Sequence, residues 1–462
     1  MRRNLALLVV LASVLGGCLS AAPRSPSAAP SAAPSTAPDA TVGATLGTLV
    51  PGGELVRSDV PRAEGSAEAA RTAASAINAF GIDLLRAIGG RANAVISPTS
   101  IALALGMARV GARGGTGTEI DAAFHLSNPD EFTAGLNALD QALATYNGTV
   151  PDGSGASQEV SLQIASQLFV QRGLALEQPF VDRLASDFGA GLRLADFRAD
   201  PEAARLAVNR WADEQTGGRI PTLLGPGAVD TATRLVAANA IYLKAPWANV
   251  RFDPAQTTRS TFTTADGTAV SVPMMTSHLP GGTEPSLPYA AGDGWRAVQL
   301  AYLGPDSSRS RLALALIAPD DLAAFEAALT SERLAGILAD LADRKVELAL
   351  PRFGIDTQTE LSVPLQALGI HLAFDRSEAD FSGITTSERL HVAAVIHQAN
   401  IDVDEKGTEA AAATAIMMMT GGPGDTSEPI VLRLDRPFLF ALRDTETGAI
   451  LFLGRVADPS TR

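Results

Sequence analysis

The strongest constraint on this chain is a junction near its C-terminus, where a strand pattern runs into a block of small residues. In HVAAVIHQANIDVDEKG, Val395, His397, Ala399, Ile401 and Val403 alternate with Ile396, Gln398, Asn400, Asp402 and Asp404. The second set is polar from position 398 onward. That alternation predicts a strand with one buried and one wet face, ended by Gly407. TEAAAATAIMMMTGGPGDTSEP follows. Ala and Met are good helix formers, so propensity by itself assigns 409–419 to a helical connector. Such a helix would have no polar face to set against its apolar one. It would also hang between a strand and a loop rich in Gly, Pro, Asp and Ser.

A different sense comes from resemblance. DEKGTEAAAATA, followed some twenty residues later by RPFLFALRDTETGAILFLGRVADP, resembles the reactive-loop hinge and C-terminal segment of the serpins. Further stretches match that family in order, among them NAVISPTSIALALGMARVGARGGTGTEI, LVAANAIYLKAPW, VNRWADEQTGGRIPTLL, TFTTADGTAVSVPMMTSH and ELALPRFGIDTQTELSVPLQALGI. The resemblance covers roughly residues 66–459. It implies an α+β fold: a large mixed sheet, two smaller sheets, surrounding helices and an exposed reactive loop at about 405–432. It also implies irreversible inhibition of serine proteases, in which the cleaved loop inserts into the main sheet as a new strand. The hinge would be Glu405, Gly407, Thr408, Glu409, Ala410, Ala411, Ala412 and Ala413. Insertion gives the alanines a physical purpose. Thr408, Ala410, Ala412, Thr414, Ile416 and Met418 form an uncharged row of small to apolar residues at strand period.

The same resemblance assigns a buried polar network. Read locally, Ser97 and Pro98 are the N-cap and first-turn residues of an apolar helix that follows a short strand at 93–96. In the family, serines at the positions of Ser97 and Ser100 lie under the main sheet where its strands part. There they are hydrogen-bonded to an Asn and a His, matched here by Asn239 and His397. A network of that kind is stable only when complete, so it can act as a latch between two states of a sheet. Trp247 matches an aromatic at the top of the sheet, where the loop would begin to enter.

The 462-residue chain carries a formal net charge of −14, which argues against nucleic acid or an anionic membrane surface as a partner. Arg2 and Arg3 precede an apolar run from Leu5 to Leu15 that ends Leu-Gly-Gly-Cys, and Cys18 is the single cysteine. The pattern resembles a bacterial lipobox, with Cys18 lipidated; an ordinary secretory signal cut near Ala22 is the alternative. Either implies export. No disulfide can form within one chain that has one cysteine. The expected domains are therefore a signal peptide at 1–18, a flexible Ala/Pro/Ser-rich tether at 19–65, and one serpin domain at 66–462. Gly/Pro-rich insertions near 148–157 and 279–294 read as surface loops.

No catalytic engine is legible. The chain has no G-x-S-x-G elbow, H-E-x-x-H pair, Walker loop or dinucleotide motif, and its five histidines show no metal-ligand spacing. The expectation is a monomeric inhibitor with no cofactor and no metal, which forms a covalent complex with its target serine protease and touches a membrane only through the lipid. The alternatives are a non-inhibitory serpin-fold binding protein or chaperone, a lipoprotein hydrolase, and an inert surface domain. The candidates for the reactive bond are Met419, Thr420, Gly421 and Gly422. Counting from the hinge as in the family places the cut between Gly421 and Gly422. A glycine offers nothing to a specificity pocket, so Thr420–Gly421 ranks first and Met419–Thr420 second. No Arg or Lys occurs between Lys406 and Arg433, so elastase-, subtilisin- or chymotrypsin-like enzymes are the expected targets.

Overall fold

A computed structural model describes residues 53–151, 157–277, 285–304, 311–408 and 428–461. The architecture is α+β, with two large sheets and helices on their faces. Among the described residues the main sheet has eight strands. Its path is Glu54–Val56, Leu192–Ala195, Ser157–Gln171, Leu235–Pro246, Gly407–Thr408, Val392–Val403 and Phe353–Glu360, with Gly148–Pro151 paired to Ser157–Val160. Long strands at its centre read as near-continuous apolar runs because both faces are covered. Leu235–Pro246 is buried at every position except Lys244.

Beneath the sheet lies the helix Pro98–Gly111, buried along almost its whole length, which is why its sequence shows no polar face. Ser97 caps it, accepting a hydrogen bond from Ser100 N, and Pro98 takes the first-turn position where a missing N–H costs nothing. Above the sheet the helix Pro201–Gln215 sets Val208, Trp211 and Ala212 against Phe169, Val236, Ala238, Ala394 and Ile396. Phe169 and Trp211 meet edge to face at 5.6 Å. This cover changes the expected wet face of Val392–Val403. Ile396 and Gln398 are buried, and only Asn400 and Asp402, beyond them, are half exposed.

Among the described residues the two smaller sheets form one ten-stranded sheet, because Ala342–Pro351 serves both. Its first half pairs with Ser286–Gly292, and its second half pairs with Ala269–Thr276 and Ile430–Arg433. Two expectations about loops and boundaries are corrected. Gly148–Pro151 and Ser286–Gly292 are strands, each with a partner strand to satisfy its backbone. The ordered body also begins earlier than residue 66. Glu54–Val56 pairs antiparallel with Leu192–Leu194, and Arg62 binds Asn137 Oδ1 at 2.7 Å and Asp140 at 2.6 Å. These contacts anchor a segment whose composition reads as tether.

Candidate functional site

The site is the seam between Leu235–Pro246 and Val392–Val403. From Val392 opposite Leu235 to Ala399 opposite Ile241 the two strands pair directly and in parallel. Above that point they part, and Gly407–Thr408 lies between them, antiparallel to both. Gly407 faces Pro246, while Thr408 faces Ala245 on one side and Val403 on the other. Gly407 therefore does not end the preceding strand, as the alternation suggested. The chain reverses over Asp404–Lys406, and Gly407 opens the return. The turn is held by Asp404 Oδ1, which accepts from Lys406 N at 2.7 Å and Gly407 N at 3.2 Å.

Close packing explains why position 407 is glycine. A Cβ there would sit 2.1 Å from the carbonyl oxygen of Ala245, a distance no side chain tolerates. Thr408 is 1% exposed, and its hydroxyl meets the Tyr302 hydroxyl at 2.6 Å. Burial pushes the Tyr302 phenol well above its ordinary pKa, so it stays a neutral partner. Trp247 stacks on Tyr302 with centroids 4.6 Å apart. Its indole N–H donates to Asp404 O at 2.9 Å, and its backbone N–H donates to Lys406 O at 3.0 Å. The expected sheet-top aromatic is thus bonded to the turn that leads into the hinge.

Glu405 points the other way, its buried carboxylate paired with the more exposed guanidinium of Arg352. Arg352 grips it through Nε at 2.8 and 2.9 Å and Nη2 at 2.5 Å, and the Thr257 hydroxyl donates at 2.5 Å. Burial by itself pushes this carboxyl upward, but the hydrogen bonds from Arg352 and Thr257 outweigh it and hold the pKa below its ordinary value.

Lower in the seam, Asn239 and His397 are directly opposite each other, and both are fully buried with Ser97 and Ser100. Ser97 N–H donates to His397 Nε2 at 3.0 Å. That bond puts the imidazole proton on Nδ1, which donates to Asn239 Oδ1 at 2.5 Å. Desolvation lowers the His397 pKa to about 3, so the ring is neutral at physiological pH. The network runs through the Ser97 backbone rather than its hydroxyl, which caps the helix. Ser100 contributes its carbonyl, which accepts from Ser166 Oγ at 3.2 Å. Ser100 Oγ and Asn239 Nδ2 are buried with no hydrogen-bond partner among the described residues.

The structure thus brings Ser97, Asn239 and His397 into direct contact with Ser100 beside them, and gathers Glu405, Gly407, Thr408 and Trp247 at the sheet top. Glu409, Ala410, Ala411, Ala412, Ala413, Met419, Thr420, Gly421, Gly422 and Cys18 lie outside the described residues. Sequence reasoning missed Arg352, Thr257, Tyr302 and Ser166. Arg352 follows an apolar strand in ELALPRFGI, and a lone cation there was the one available signal. Thr257, Tyr302 and Ser166 carry none, since single hydroxyls acquire partners only in the fold.

Comparison with known proteins identifies the family. The model of the serpin (serine protease inhibitor) family matches residues 75–459, and the chain belongs to that family. An uncharacterized serpin-like protein of Thermococcus kodakarensis is 34% identical over 99% of both chains. Mouse glia-derived nexin is 34% identical over 79% of this chain and 88% of its own. The crystal structure of native protease nexin-1 with heparin superposes with a TM-score of 0.69 at 28% identity, covering 84% of this chain and all of that one. Among the described residues no helix is long and apolar enough to cross a membrane.

Proposed function

We propose that this serpin is an irreversible, single-use inhibitor of extracellular serine proteases of elastase, subtilisin or chymotrypsin type. The observation that carries the reading is the two-residue strand Gly407–Thr408, seated between strands that pair directly with each other below it. The hinge is engaged, while the rest of the seam is closed. A protease that attacks the loop forms an acyl-enzyme and frees the loop's N-terminal part from its C-terminal anchor in Ile430–Arg433. The strand begun at Thr408 then extends down the seam, carrying the protease with it. Ladder hydrogen bonds, each worth about 0.5–1.5 kcal/mol net, and burial of the Ala410–Met418 row drive it. The network at Asn239 and His397 is the latch that this strand must part. Export, lipidation at Cys18 and a monomeric state complete the proposal.

The test is incubation of the soluble chain with a protease panel, followed by denaturing electrophoresis. A covalent complex with elastase- or subtilisin-like enzymes is expected. Loop cleavage by every protease, with no complex from any, would leave only a substrate.

A further inference from the structure

The proposed insertion, on which this inference rests, has a defined far end. With Gly407 facing Pro246 and Thr408 facing Ala245, each residue added to the incoming strand moves one residue back along its neighbour. Continued on that register, Met418 would face Leu235, the first residue of that strand, and Thr420 would come level with Thr233. Val392 closes the other side. The strand would run out at the residues expected to carry the cut. At that place the fold has a cavity of about 290 Å³, bordered by Asp230, Thr233, Ser362, Gln366, Arg376 and His391.

The charges around the cavity are unequally engaged. Asp230 Oδ1 already accepts from Ala232 N at 2.9 Å and from the Thr233 hydroxyl at 3.1 Å. Asp375, beside Arg376, accepts from the backbone of Ser377 and Glu378 and from the Ser377 hydroxyl. Arg234, whose charge also acts on His391, is paired with Glu388 at 2.9 Å. Arg376 makes no salt bridge or side-chain hydrogen bond among the described residues, and its charge reaches Asp230 and His391 only through space. An arginine whose guanidinium donors are not hydrogen-bonded, at the end of a strand track, suits a terminal carboxylate, because the guanidinium fork matches its two oxygens.

The geometry points to this cavity as the seat of the new C-terminal carboxylate of the cleaved loop, with Arg376 as its counter-ion and the Gln366 amide as a further donor. Hydrolysis of the acyl-enzyme consumes one water: hydroxide oxygen joins the loop carbonyl carbon, the ester bond to the protease serine breaks, and that serine oxygen takes up a proton. The loop then ends in a carboxylate, whereas the unhydrolysed ester is uncharged. The cavity therefore favours the spent inhibitor over the trapped complex.

The experiment uses the intact full chain and synthetic peptides of residues 408–420, ending either in a free carboxylate or in an amide. Binding is measured for the parent protein and for Arg376→Met. The carboxylate peptide is expected to bind the parent about five- to tenfold more tightly than the amide, with the preference lost in Arg376→Met. Equal amide binding by the two proteins shows that the variant is folded. Equal binding of both peptides to the parent overturns the carboxylate seat and leaves insertion standing. Failure of either peptide to bind counts against insertion itself.

Discussion

At Thr408 the chain commits a hinge side chain to the interior between the two central strands, against the Tyr302 hydroxyl and the backbone of Ala245 and Val403. Arginine at that position would need to bury a guanidinium in a site built for one hydroxyl, and an unpaired buried charge is strongly unfavourable. Thr408→Arg is therefore expected to be cleaved but not to trap. An undiminished complex band on a denaturing gel would refute insertion through this hinge. His397 carries a second prediction. His397→Ala leaves Ser97 N–H and Asn239 Oδ1 without partners, at about 1–3 kcal/mol for each group, and should favour premature insertion or polymers on mild heating. The histidine also sets a pH dependence. Its folded pKa of about 3 lies below the ordinary 6.5, so the unfolded chain takes up the proton first. Its contribution is complete above about 6.5 and is lost as pH falls towards 3, by up to about 1.4 kcal/mol per pH unit. Urea midpoints measured from pH 7 to 4 should converge for the parent and His397→Ala, and parallel curves would contradict this.

At the scale of elements, the pairing of the short hinge strand fixes what a longer strand would meet. Continued from Thr408, the register sets Thr414 level with Asn239 on one side and His397 on the other. Thr414 has the same strand parity as Thr408, and it is the one hydroxyl of that parity between Thr408 and Met418. Insertion would separate His397 from Asn239, and the Thr414 hydroxyl would stand where both have lost a partner. Asn239 Nδ2, already unpaired, is an available donor to it. Thr414→Val keeps the branched shape and removes the hydroxyl. It should leave the thermal midpoint of the intact protein unchanged and raise the number of inhibitor molecules consumed per protease trapped. An unchanged stoichiometry would separate Thr414 from the latch. The strand Val392–Val403 was legible from alternation. The turn and hinge strand after it were not, because Gly407 is explained only by the Ala245 carbonyl 2.1 Å from its missing side chain.

For the whole molecule, the position of the cut decides which proteases are captured. Trypsin-like enzymes require a cation for an acidic specificity pocket, and none lies between Lys406 and Arg433. They should cleave elsewhere or not at all, and should form no complex. With an elastase- or subtilisin-like enzyme, mass spectrometry of the released C-terminal fragment should find a start at Gly421 or Thr420. A start outside 418–423 would displace the reactive bond. The same measurement checks the proposed track length, since the strand Leu235–Pro246 beside the hinge ends at Leu235.

By itself the sequence determined the family, the α+β class, the helix caps, the central strands and the uncharged row after the hinge. The caps, strands and row are written in local chemistry and period, which survive without knowledge of the fold, whereas the family and the class rest on the resemblance of the ordered motifs. Only tertiary structure decided the rest. It showed that His397 is bonded to the Ser97 backbone N–H, a group every residue but proline possesses and no sequence can single out. Arg352 binds Glu405 across 53 residues, and Tyr302 meets Thr408 across 106, pairings that depend on how strands are ordered in sheets. The two smaller sheets proved continuous because one strand, Ala342–Pro351, changes partners halfway along. Composition likewise assigned residues 54–62 to a tether, whereas they are held by a sheet edge and by Asn137 and Asp140, whose availability arises only once the helix Pro129–Ala144 is in place.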